Sequence, residues 1–252
     1  MTWLALVETL AGQRHGRRIV LLALALLTAL AWIYLWRAPM PMPAANGGLR
    51  APEYAALTFA MWFVMMVGMM TPAAAPVLLL FDRIERGPPR NLASARTPLF
   101  LLGYLLVWAL YSLAATLLQI ELIALGWIDD MAVAARGTVT ALVLLAIGVY
   151  QWLPLKRACL ERCQSPAEFL VQHRRPGRSG ALRMGVRHGL YCLGCCWALM
   201  LLLFVGGVMN LLWVVAITLV VLTEKLVRGD WFRRAIGIAA CVAAGLMLIQ
   251  SQ

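Results

Sequence analysis

An all-α bundle of transmembrane helices is the fold class this sequence predicts, on three observations. Of 252 residues, 63% are apolar and only 13% charged, with a mean hydropathy of +0.81; soluble domains lie nearer half apolar and a quarter charged. The apolar residues fall in runs long enough for a bilayer, which needs roughly 20 helical residues to cross ~30 Å of hydrocarbon. The basic residues collect in alternate loops. A soluble globule, a small disulfide scaffold and a disordered chain are excluded. One polytopic membrane domain remains.

The first span is expected over Ile19–Trp36, behind Arg14, Arg17 and Arg18, with an apolar core too long for a cleaved signal. The second covers Ala55–Phe81, the third Leu99–Ala124 and the fourth Gly137–Leu155. A polar, basic loop follows over 156–188. The apolar run Gly189–Leu226 is too long for one crossing, and Gly206, Gly207 and Asn210 mark a tight hairpin between a fifth and a sixth span. Ala235–Ile249 is the seventh, anchored by Trp231 and Phe232 at the interface. The domain reading is a basic cytoplasmic N-terminus at 1–18 followed by a single transmembrane domain over 19–252.

A cytoplasmic N-terminus places 1–18, 82–98, 156–188 and 224–234 inside, and these hold 19 of the 22 Lys and Arg residues. Outside remain Arg37, Arg50 and Arg136, beside Glu53, Glu121, Asp129 and Asp130. Basic residues favour the cytoplasmic side, so the expected topology is seven spans with the C-terminus outside. Net charge +11 then reflects topology and contact with anionic lipid rather than nucleic-acid binding. The loop around His173, Arg174, Arg175, Pro176, Gly177 and Arg178 reads as a solvated segment.

Three of the six cysteines lie in Tyr191-Cys192-Leu193-Gly194-Cys195-Cys196-Trp197. Helical positions i, i+3 and i+4 share a face, so Cys192, Cys195 and Cys196 present three sulfurs to one side. Soft donors in that number suit Cu(I), Zn(II) or an iron–sulfur cluster; packing is the plainer explanation, because cysteine is at home in a core. The second span carries Met61, Met65, Met66, Met69 and Met70, five of the 13 methionines. Methionine is a common core filler, but thioethers also hold Cu(I) without burying another negative charge. Pro72 and Pro76 interrupt the same helix's hydrogen bonding. At ~1.5 Å per residue, Cys196 and Met200 lie ~10 and ~16 Å inside the cytoplasmic face, and Met69 and Met70 at ~16–18 Å. Thiols and thioethers therefore meet if the second and fifth spans are neighbours.

Trp62, Gly68-Met69-Met70-Thr71-Pro72 and Pro76, taken with Gly185, Gly189, Cys192-Leu193-Gly194-Cys195-Cys196-Trp197, Met200, Phe204, Gly207, Met209-Asn210, Trp213 and Glu224-Lys225, resemble a bacterial family of predicted metal-binding integral membrane proteins, some of them described as copper-chaperone-like. The resemblance runs from about residue 54 to 252. It implies a metal role for the matching Cys and Met positions and nothing further; a multi-pass location in the bacterial inner membrane and a copper-delivery or copper-enzyme partner are separate expectations.

Other residues have plainer expectations. Cys159 and Cys163 are either incidental or a metal mouth on the cytoplasmic side; His188, one turn before Cys192, is either interfacial or a fourth ligand. Glu224 and Lys225 are expected to snorkel and to form a local ion pair, Asn210 to turn the outer hairpin, and Gln119 and Glu121 to lie near water. HExxH, P-loop, GxGxxG and GxSxG motifs are missing, so no catalytic residue is assigned and enzyme activity is not expected. The sulfur residues favour a metal-handling membrane protein, with Cu(I) ahead of zinc; a structural or assembly subunit and a CxxC thiol redox protein are the alternatives.

Overall fold

The computed structural model describes residues 3–37, 51–85, 96–128 and 137–250. Every regular element in them is helical: α1 (Trp3–Arg37), α2 (Pro52–Glu85), α3 (Arg96–Ala124), α4 (Gly137–Trp152), α5 (Pro154–Gln164), α6 (Pro166–His173), α7 (Gly177–Met200), α8 (Leu202–Gly206), α9 (Leu211–Leu226) and α10 (Asp230–Gln250). Five stretches within these helices are long and apolar enough to cross a membrane: Gly16–Arg37, Pro52–Glu85, Arg96–Ala124, Gly177–Gly206 and Asp230–Ile249.

Proline sets the boundaries through the middle of the chain. A residue before proline is pushed out of the helical region, and proline itself suits a first helical turn. Leu153 is accordingly extended (φ −67°, ψ 139°) ahead of Pro154, and α4 and α5 meet at a bend of 66°. The predicted fourth span thus stops at Trp152 and turns. The predicted loop 156–188 is largely helical instead: it forms α5, α6 and the first half of α7, which begins twelve residues ahead of Gly189. The reason is an amphipathic pattern inside the basic sequence. Lys156, Leu160, Phe169 and Leu170 are buried, while Arg174, Arg175 and Arg178 stay exposed.

The hairpin expected at Gly206–Asn210 is present. Gly207 takes φ +90°, and Asn210 caps α9 by accepting the Trp213 N–H at 3.2 Å. The Trp213 indole N–H donates to the Leu202 carbonyl at 2.6 Å and closes the turn. Arg50, Arg86, Arg90, Asp129, Asp130 and Arg136, which contribute to the charge asymmetry, lie outside the described residues.

Packing runs in a chain of helix pairs: α1 on α2, α2 on α3, α3 on α7, α7 on α5, and α4 on α10. The α3–α7 seam is the tightest. A Cβ on Gly103 would strike the Leu182 carbonyl, and one on Gly185 the Phe100 carbonyl, so the small residues let the two backbones touch. Gln119, expected near water, is buried and accepts the Trp62 indole N–H at 2.7 Å, tying α2 to α3.

Candidate metal centre

Cys192, Cys195 and Cys196 are each only 1% exposed. One carbonyl organises them: the Cys195 and Cys196 thiols both donate back to Cys192 O, at 3.0 and 2.9 Å, as i+3 and i+4 positions on one face can. Cys192 Sγ looks elsewhere. It lies 3.1 Å from the Tyr104 hydroxyl of α3 and accepts a hydrogen bond from Lys225 Nζ of α9 at 2.9 Å.

Tyr104 is the link to the methionine helix. Its hydroxyl donates to the Met70 carbonyl at 3.0 Å while touching Cys192 Sγ. Met61, Met65, Met66, Met69 and Met70 of α2 and Met200 of α7 are all buried, in the same core cluster as the three cysteines. Helices α2 and α7 are nevertheless not laid along each other; α3 packs against both. It is the Met70 backbone, through Tyr104, that connects the two tracts.

Helix α5 brings Cys159 and Cys163, expected to be either incidental or a metal mouth, against the α7 cysteines. Cys195 Sγ lies 3.8 Å from Cys163 Sγ. Cys159 fits the notch at Gly194, where a Cβ would stand 2.7 Å from its sulfur. Both α5 thiols are half-buried, so they flank the α7 cysteines on a more open side. His188 is 3% exposed, ringed by Phe100, Tyr104 and Phe169, and its Nδ1 has no hydrogen-bond partner.

Glu224 and Lys225 depart from expectation. Neither simply snorkels. Both Glu224 carboxylate oxygens accept from Lys156 Nζ, at 2.9 and 2.8 Å, in a pair whose side chains are 1% and 2% exposed. Gln164 donates to the carbonyls of Glu224 and Val227 at 2.8 and 3.0 Å, binding α5 to the end of α9. With Glu224 committed to Lys156, Lys225 turns to the thiol. The Glu-Lys dipeptide ending an apolar run was the available signal for this, but its partners lie on distant helices.

The donor chemistry fits a soft ion in part. Two sulfurs each ~2.3 Å from a shared ion stand no more than ~4.6 Å apart, so the 3.8 Å Cys163–Cys195 pair spans one. Yet among the described residues no three His, Cys, Asp or Glu side chains converge as a metal-binding group. The described side chains bring two thiols together at Cys163 and Cys195 and set an ammonium against a third at Cys192.

What emerges is an all-helical protein of membrane-spanning build whose core gathers thiols and thioethers. The chain matches the copper chaperone family PpoB2 over residues 59–247 and belongs to it. Membership associates the protein with copper handling, as the sequence motifs implied. No curated protein and no solved structure matches the chain.

Proposed function

We propose that the protein binds Cu(I) within the membrane and holds it for transfer, using the α7 residues Cys192, Cys195, Cys196 and Met200 and the α2 residues Met65, Met66, Met69 and Met70. The observation that carries the reading is the Tyr104 hydroxyl, in contact with both the Met70 carbonyl and Cys192 Sγ. It draws the thioether helix and the thiol helix to one buried point. Sulfur donors select Cu(I) over harder cations, and burial shields the ion from oxidation and from competing water. Delivery to a copper protein at the membrane surface accounts for a site that is soft but not fully enclosed.

In this reading the protein lies in a bacterial inner membrane with seven crossings, N-terminus inside and C-terminus outside. Support comes from the confinement of 19 of 22 basic residues to alternate loops. The apolar, 16-residue helices α4 and α9 supply the two further crossings, α5 bending away from α4 at the membrane face. Residues 1–18 form the basic cytoplasmic start, 19–252 the single transmembrane domain, and 156–188 its basic cytoplasmic face.

The test is the metal content of purified protein. Changing Cys192, Cys195 and Cys196 together to Ser abolishes copper retention while the protein stays monodisperse; wild-type copper content in the triple variant overturns the reading. A dithiol couple is the second reading, favoured by the Cys163–Cys195 distance of 3.8 Å. It requires those two thiols to form a disulfide reversibly with an external disulfide as oxidant, and alkylation mapping that finds both always reduced removes it.

A further inference from the structure

The α7 thiols are sealed. Cys192, Cys195 and Cys196 are all buried, and two of them turn back to the Cys192 carbonyl. An ion carried in water therefore has to meet a more open sulfur first. Cys159 and Cys163 of α5 are half-buried, and the flank they open onto is polar. Cys159, Arg162 and Cys163 share one face of α5 at i, i+3 and i+4, and Arg162 pairs with Glu168 at 3.0 Å beside them. Arg157 and Glu161 pair at 2.8 Å with more than half of each side chain exposed. Ionised side chains avoid hydrocarbon, so this flank lies in water rather than in lipid.

Of the two α5 thiols, Cys163 has the geometry for a handover. Its Sγ lies 3.8 Å from Cys195 Sγ, inside the ~4.6 Å that two metal–sulfur bonds of ~2.3 Å can span. One ion can thus touch both sulfurs at once, and no free ion is needed between them. Cys159 instead fits its sulfur into the notch at Gly194. A half-open thiol standing within one shared ion of a sealed thiol is a step between water and the buried site.

We propose that Cys163 is the entry ligand, the thiol that takes Cu(I) from a thiolate-bound carrier in water and passes it to Cys195. In the first exchange the ion gains a bond to Cys163 Sγ, which gives up its proton, since the thiolate is the ligand. The carrier sulfur takes up a proton as its own bond to the ion breaks. The same exchange then runs from Cys163 to Cys195, and Cys163 is returned to its thiol form. The ion stays monovalent throughout and no electron moves. This rests on the Cu(I)-site reading of the function and deepens it, naming the door to that site and the chemical class of the donor.

The experiment separates rate from content. Full-length protein in detergent, reduced and kept from oxygen, is mixed with the Cu(I) complex of glutathione, and bound copper is followed to its plateau. Wild type, Cys163→Ser and Cys159→Ser are compared, each from the monodisperse fraction. Cys163→Ser is expected to load at least about tenfold more slowly and to reach the wild-type plateau, whereas Cys159→Ser loads at the wild-type rate. Wild-type loading in Cys163→Ser overturns the proposal. So does a plateau that falls with the rate, which makes Cys163 a resident ligand or a packing residue, and so does equal slowing in Cys159→Ser. The broader reading is judged apart from these: it stands while the Cys192, Cys195, Cys196 triple variant holds no copper at the plateau, and fails if that variant fills like wild type, whatever the rate at Cys163.

Discussion

At the residue scale, the centre depends on polar side chains that reach across helices. Tyr104 is the sharpest case, since one hydroxyl serves the Met70 carbonyl and the Cys192 sulfur. Tyr104→Phe removes the hydroxyl and leaves both groups short of a buried partner, a loss of about 1–3 kcal/mol. Thermal unfolding in detergent checks the stability, and copper retention on the same sample shows whether the centre loosens with it. The Lys156–Glu224 pair obeys a stricter rule. Removing one member of a buried pair strands the other charge, at about 3–5 kcal/mol, whereas replacing both by apolar side chains is often nearly neutral. Lys156→Met is therefore expected to destabilise strongly, and Lys156→Met with Glu224→Leu to recover most of the loss, as denaturation midpoints will show. Part of this centre was legible in the sequence: the face shared by Cys192, Cys195 and Cys196 follows from helical spacing. Cys163 was legible only as one of two alternatives, and the contacts of Tyr104 and Lys225 were not legible, because they depend on which helices lie side by side, and hydropathy is blind to that.

At the element scale, two local features place the thiols. The Gly103–Gly185 seam sets how closely α3 approaches α7, and with it the distance from Tyr104 to Cys192. Gly185→Ala forces a methyl into the Phe100 backbone, and a lower melting temperature together with weakened copper binding is expected. The second feature is the break at Pro154. Pro154→Ala permits a straighter α4–α5 helix, which carries Cys159 and Cys163 away from α7. Its expected signature is weaker copper binding and loss of Cys163–Cys195 crosslinking by a short bifunctional thiol reagent, with helix content unchanged. Leu153-Pro154 signals the break, but the polar composition after it reads as loop. Composition misled there because four buried residues, Lys156 among them, sit at helical intervals within a basic segment.

At the scale of the whole molecule, the long apolar helices were plain in the sequence because bilayer thickness dictates their length. The number of crossings was harder to read, since a bent pair and a 16-residue helix strain a rule written for straight spans of about 20 residues. The proposed topology is tested with reporters fused after residues 98, 188 and 252: the first two are expected to report cytoplasm and the last the far side. A C-terminal reporter confined to the cytoplasm implies an even number of crossings. Sheltering differs across the bundle as well. Cys159 and Cys163 are partly open, whereas Cys192, Cys195 and Cys196 are sealed. A membrane-impermeant maleimide added to inside-out vesicles therefore labels the outer pair first, and its time course gives a clock for how often the inner chamber opens.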